Sequence, residues 1–172
     1  TARTAGFNSV DTGSLTSASK LLTCVLMFIG GSPGSTAGGI KTTTIFILVV
    51  SLWSGITNRH KTAVFKRRFE DDAIKKASTV FTLNMFLAIF ALFTILAITD
   101  LSLSDVMFEV FSAIGTVGMT TGITRDLSSA ARIIIMVLMF CGRVGSLSFA
   151  LTLIQGKKDP PVNYPVEERS VR

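Results

Sequence analysis

An all-α integral membrane fold made of helix, pore-loop, helix repeats is predicted by three observations. They are long apolar runs nearly free of charge, an internal repeat that sets Thr4 over Thr116, and a half-length helix just before a glycine turn. The 172 residues are 48% apolar and 16% charged, with a mean hydropathy of +0.56, values that an apolar soluble domain could share. The placement of charge therefore decides. Residues 78–99 carry none, and as a helix they would reach roughly 33 Å, enough to cross a bilayer. Residues 133–155 carry only Arg143, and residues 21–56 only Lys41. The last of these runs would extend roughly 54 Å as one helix, so it must be broken. Gly30, Gly31, Pro33, Gly34, Gly38 and Gly39 supply the break, because a stable helix cannot be sustained through them.

The flanking charges set an orientation. Residues 57–77 hold Arg59, His60, Lys61, Lys66, Arg67, Arg68, Lys75 and Lys76 against Glu70, Asp71 and Asp72, which predicts a cytoplasmic loop. Residues 100–129 hold Asp100, Asp105, Glu109 and Asp126 against Arg125, as expected outside. The tail, 156–172, with Lys157, Lys158, Arg169 and Arg172, then returns to the cytoplasm. The net charge of +6 is thus explained by the membrane and not by nucleic acid, since the basic loop has few stacking aromatics and apolar spans on both sides. The polar opening lacks the basic-then-apolar pattern of a targeting segment, and no initiator Met is present, so a fragment of a longer protein is expected.

Laid over itself at one constant offset, the chain aligns Thr4 with Thr116, Gly6 with Gly118, Thr12 with Thr124, Leu15 with Leu127, Ser17 with Ser129 and Ala18 with Ala130. Residues 25–28 then fall on 137–140, Gly30 on Gly142, and Lys20 on Arg132, with 11 identities in 27 ungapped positions. Each copy has a Thr-x-Gly turn, a polar stretch and an apolar helix. Ahead of the second turn, residues 103–114 predict a short helix of roughly 18 Å, capped at Ser104 or Asp105, able to enter a membrane but not to cross it. Irregular backbone at such depth is tolerated where it lines a water-filled cavity, and its carbonyls can replace an ion's hydration shell.

TAGFN at 4–8, GGSPGSTAGGIKTTT at 30–44, TVGMTTG at 116–122 and GRVGSL at 142–147 together resemble the Trk/Ktr/HKT superfamily of potassium transporters, over essentially the whole chain. The resemblance implies four repeats around one pore. This chain would be the C-terminal half, with the end of repeat three and the broken inner helix in 1–56, and repeat four in 78–155. It implies a K⁺ selectivity filter from Thr4, Ala5, Gly6, Phe7 and Asn8 and from Thr116, Val117, Gly118, Met119 and Thr120. It implies an intramembrane gating loop at 30–44, including Gly30, Gly31, Ser32, Pro33, Gly34, Ser35, Thr36, Ala37, Gly38, Gly39 and Lys41. Arg143, costly inside an apolar run unless it meets a cavity or a partner, would be a pore arginine beneath the filter. A structural role at helix-end carbonyls stays open for it, as does simple snorkelling to the headgroups for Lys41.

The glycine segment fails as a phosphate-binding loop, since Ile40 stands where that motif needs Lys. The single histidine, His60, leaves no catalytic or metal constellation, so no enzyme is expected, and no cofactor beyond the transported K⁺. Cys24 and Cys141 read as buried hydrophobes, Asn84 as an interhelical hydrogen-bonding residue, and Trp53 as an interfacial anchor. Three functions remain open: potassium uptake across the plasma membrane through a gated filter, a Na⁺- or H⁺-coupled symporter of the same fold, and a non-conducting membrane subunit. The resemblance further implies the missing N-terminal repeats as partners, a homodimer in the membrane, and a cytoplasmic ring of nucleotide-binding regulatory proteins.

Overall fold

The computed structural model describes residues 5–8, 11–32, 38–57, 63–64, 67–68 and 71–145. Its elements are α1 (Ser17–Phe28), α2 (Thr42–Ile56), β1 (Ala63–Val64), β2 (Arg67–Arg68), α3 (Asp71–Ile98), α4 (Leu103–Gly115) and α5 (Ser129–Val144), with a single 3₁₀ turn at Ile123–Arg125. The architecture is helical. Within the basic loop β1 and β2 pair antiparallel, Ala63 against Arg68 and Val64 against Arg67. So short a segment satisfies its backbone groups locally in this way.

The offset of the sequence repeat carries through into three dimensions. Thr16 caps α1 by accepting the Ser19 N–H, and at the equivalent place in the second copy Ser128 caps α5 by accepting the Ala131 N–H. Each cap satisfies one of the four amide donors that a helix start leaves without partners, a contribution of about 1 kcal/mol. The copies diverge at the far end. α1 stops at Phe28, where the glycine-rich stretch begins, whereas α5 continues to Val144. α2 resumes only at Thr42, so the overlong run is broken between 29 and 41.

α3 starts at Asp71, ahead of the uncharged run, because Asp72, Lys75 and Lys76 occupy its first two turns without hindering helix formation. Over Asp72–Ile98 it is long and apolar enough to cross a membrane. Phe86, Ile89, Phe90 and Phe93 stand exposed along one of its faces, each withholding roughly 1.5–3 kcal/mol of burial in water, a loss that a lipid environment removes. The buried Asn84 donates to the Val80 carbonyl at 2.8 Å, a bond within α3 itself. Trp53 is exposed near the end of α2, and Cys24 and Cys141 are buried thiols.

The centre of the molecule is its short helix. α4 buries Val106, Phe108, Glu109, Val110, Ser112, Ala113, Ile114 and Gly115, all round its circumference, which marks a helix enclosed by others. Its N-cap is Ser102, whose side chain accepts the Asp105 N–H, and not Ser104 or Asp105. That choice leaves Asp105 at the third helical position, facing outward to a partner. One cluster joins Ala88, Ala91 and Ile95 of α3 and Ala131, Ile135 and Leu138 of α5 to Val106, Val110, Ala113 and Ile114 of α4. A second joins Cys24 and Met27 of α1 to Phe108 and Val117. The first is packed within the second repeat. The other lies between repeats.

Candidate ion pathway

α4 delivers the second glycine turn. The helix ends with the Thr116 N–H bonded to the Ala113 carbonyl at 3.1 Å and the Val117 N–H to the Ser112 carbonyl at 3.0 Å. Thr116 takes the left-handed conformation at φ 52°, uncommon for a β-branched residue, and so turns the chain sharply out of the helix. The negative end of the helix dipole is left at the mouth of the turn, where it favours a cation. Gly118 and Gly6 are both left-handed, at φ 81° and 71°, the one backbone region that a side chain most penalises. They differ in surroundings. A Cβ on Gly6 would lie 2.7 Å from the Val117 carbonyl oxygen, whereas a Cβ on Gly118 would meet nothing within 4 Å. The two turns are therefore neighbours, and open space lies beside the second.

A buried carboxylate fixes the far end of that turn. Glu109, which sequence alone counted only among the acidic residues of the outer connection, is buried in α4. Its Oε1 accepts from the hydroxyl of Thr124 at 2.9 Å and from that of Thr120. Thr120 in turn receives the Gly122 N–H at 2.9 Å, and its carbonyl accepts from the hydroxyl of Thr12. Thr12 belongs to the first repeat, so this network ties the two turns together. A cavity of about 220 Å³ opens beside it, lined by Glu109, Ser112, Gly118, Met119 and Thr120 among others. Neither Glu109 nor Thr12 was a predicted site residue; a carboxylate in the middle of a half-length helix, flanked by Phe108 and Val110, was the available signal.

Lys20 of α1 reaches Asp105 of α4 at 2.8 Å, where Ser102 also donates to the carboxylate at 2.6 Å. The bond from Lys20, then that from Ser102, hold this carboxyl below its ordinary value. The pair sits at the N-terminal end of α4.

The glycine-rich segment is anchored at both stems. The Gly30 N–H bonds to the Ile40 carbonyl at 2.8 Å and the Ile40 N–H to the Phe28 carbonyl at 3.2 Å, a parallel bridge between Ile29 and Ile40. Gly38 then touches the second glycine turn directly, its N–H donating to the Thr116 hydroxyl at 2.9 Å. Of the predicted loop, Gly30, Gly31, Ser32, Gly38, Gly39 and Lys41 are described, while Pro33, Gly34, Ser35, Thr36 and Ala37 lie outside the described residues, as does Thr4. Ala5, Gly6, Phe7 and Asn8 form an irregular segment, with Phe7 exposed. Lys41 precedes α2 as its N-cap residue, half-buried. Arg143 lies in the last turn of α5, exposed, next to Gly142. A Cβ on Gly142 would lie 2.2 Å from the Ile114 carbonyl oxygen, so this glycine brings α5 against the base of α4. Arg143 is thereby held one residue from the helix end that feeds the second turn.

Known proteins resemble this chain over most of its length. The family model described as TrkH, cation transport protein, matches residues 1–159. The Ktr system potassium uptake protein B of Bacillus subtilis is 37% identical over 165 residues, 96% of this chain and 37% of that protein. The Ktr system potassium uptake protein D of the same organism is 41% identical over 163 residues, 94% of this chain and 36% of that protein. The potassium/sodium uptake protein NtpJ of Enterococcus hirae is 36% identical over 176 residues, 99% of this chain and 39% of that protein. The chain thus spans between a third and two fifths of the length of these relatives.

Proposed function

Because the chain belongs to the TrkH family of cation transport proteins, we propose that it lends two filter segments and a gating loop to a membrane pathway for K⁺ uptake. The observation that carries this reading is the pairing of Gly6 and Gly118, two left-handed turns in matched repeats, lying side by side. In such turns backbone carbonyls of 4–8 and 116–120 replace the hydration shell of the ion, while the dipole of α4 lowers the cost of its charge. The Thr120 carbonyl also accepts from the hydroxyl of Thr12, which ties the second segment to the first repeat. The segment 30–41 gates the path from below. Its bond from Gly38 to Thr116 makes the position of the loop felt at the first residue of the filter. Arg143, exposed beside the base of α4, adds a positive charge that opposes cations when the loop is closed.

The basic loop 57–77 and the tail 156–172 face the cytoplasm in this reading, and there they offer the surfaces for a nucleotide-binding regulatory ring. The working unit is a homodimer of full-length chains. A second reading, coupling to a Na⁺ gradient, is favoured by the relative named for both potassium and sodium uptake. It requires uptake to follow an imposed Na⁺ gradient, whereas a gated pathway does not.

The test is K⁺ uptake by a bacterium lacking its own potassium transporters, expressing the full parent protein with Gly118 intact or changed to Asp at equal membrane levels. Asp tolerates the left-handed backbone better than most residues, and its side chain would enter open space, so misfolding is not the expected outcome. Loss of uptake supports the pathway. Undiminished uptake overturns it and favours a non-conducting subunit.

A further inference from the structure

α3 has two faces of different chemistry. Ala77, Asn84, Ala88, Ala91 and Ile95 recur at helical spacing and are buried, the last three of them against α4 and α5. Half a turn away, Lys75, Ser78, Thr79, Thr82, Phe86 and Phe93 make up the opposite face, all exposed. Along that face the chemistry changes in order: a cation first, then three hydroxyls, then aromatic rings. From Lys75 to the exposed Ile89 the helix rises about 21 Å, the depth of one bilayer leaflet with its headgroups.

A cavity of about 430 Å³ opens where the hydroxyls give way to the rings, lined by Ser78, Thr79, Thr82, Leu83 and Phe86. Small-molecule sites span about 300–1,000 Å³, so its size suits a ligand. The hydroxyls beside it are not all spent on the helix. Thr79, Thr94 and Thr99 each donate to the carbonyl four residues earlier, at 2.9, 2.7 and 2.7 Å, whereas Ser78 and Thr82 make no hydrogen bond among the described residues. A donor at membrane depth is costly to leave without an acceptor. Lys75 and the exposed Lys76 likewise have no ion-pair partner among the described residues. Asp71 and Asp72 stand ahead of them at the start of α3, and the loop 57–77 as a whole holds seven lysines and arginines against three acids.

We propose that this face of α3 binds an anionic phospholipid of the cytoplasmic leaflet. Lys75 and Lys76 hold the phosphate, Ser78 and Thr82 donate to its ester oxygens, and an acyl chain runs over Phe86, Phe90 and Phe93. A zwitterionic lipid carries its own cation beside the phosphate, so it gains less from the two lysines. A free phosphate ion gains nothing from the rings. The site rests on α3 crossing the bilayer with Lys75 toward the cytoplasm, and not on the K⁺ pathway.

The experiment uses the full-length parent with its own cysteines, Cys24 and Cys141 among them, changed to Ala and with Phe90→Cys carrying a fluorophore. The protein is placed in phosphatidylcholine vesicles that contain a minor fraction of phosphatidylglycerol. Bromine, which quenches on contact, is put on the chains of the phosphatidylglycerol or of an equal amount of phosphatidylcholine. Stronger quenching by brominated phosphatidylglycerol is expected, and glycerol phosphate in excess should not relieve it. Lys75→Gln with Lys76→Gln should lower the enrichment roughly fivefold for each lysine. Equal quenching by the two lipids would mean an ordinary lipid contact, and quenching by neither would mean that protein covers the face. An equal loss from Lys66→Gln with Arg67→Gln would assign the effect to the charge of the loop at large. Each of these results, or relief by glycerol phosphate, overturns the proposal, and none bears on whether Gly118 lies in a K⁺ pathway.

Discussion

Glu109 shows how much one buried carboxylate organises. It accepts from Thr120 and Thr124, and through Thr120 its influence reaches Thr12 in the other repeat. Removing the acceptor takes away the partner shared by Thr120 and the exposed Thr124, whose hydroxyls lie 2.8 Å apart and can still bond to each other, so the expected loss is about 1 kcal/mol. Glu109→Ala is therefore expected to lower the melting temperature in detergent and to weaken discrimination between K⁺ and Na⁺ in uptake assays. Glu109→Gln retains a carbonyl acceptor and should restore most of both. An alanine variant indistinguishable from wild type in melting and in ion selectivity would remove Glu109 from the account of the filter. The role of Glu109 was hidden in the sequence because it depends on two threonines that return to it only after the chain has turned. Gly6 and Gly118 were legible, because a glycine repeated at one spacing after a threonine points to one backbone shape.

Among the elements, α4 was readable and its surroundings were not. A short helix predicted over 103–114 is observed at Leu103–Gly115, yet its cap is Ser102, ahead of Ser104 and Asp105, the two caps expected from the sequence. The start of α3 escaped for a different reason, since charged residues conceal a helix from any search for apolar runs while leaving its backbone unaffected. The break between α1 and α2 was plain from glycine and proline. What could not be read is how closely α5 approaches α4 at Gly142. Gly142→Ala should push α5 outward, because a Cβ there would lie 2.2 Å from the Ile114 backbone. The expected penalty is about 1–3 kcal/mol, seen as a lower melting temperature in detergent. An unchanged melting temperature would show that the approach is looser than described.

In the whole molecule, apolar surface is distributed as a membrane protein requires. α3 presents Phe86, Phe90 and Phe93 outward, and many of the polar groups that are buried lie around α4 and its turn. The family and the helical character were accessible from sequence because both rest on patterns along the chain. The contacts between repeats were not accessible, because they join residues such as Lys20 and Asp105, or Gly38 and Thr116, that lie most of a repeat apart along the chain.

That separation has a consequence for biosynthesis. α1 leaves the ribosome well before α4, which is to bury its Cys24 and Met27, so for the whole time in which α2 and α3 are being made those side chains have only lipid or the insertion machinery to meet. A ribosome arrested while α4 is still in its exit tunnel should hold a nascent chain whose Cys24 reacts readily with a membrane-permeant maleimide. Once α4 and the second turn have emerged and docked, the same thiol, 2% exposed in the fold, should be protected. Equal labelling at both arrest points would mean that Cys24 finds another cover first. If protection follows α4, the earlier repeat is completed only by its successor, and a nonsense mutation ahead of α4 would leave α1 without its cover.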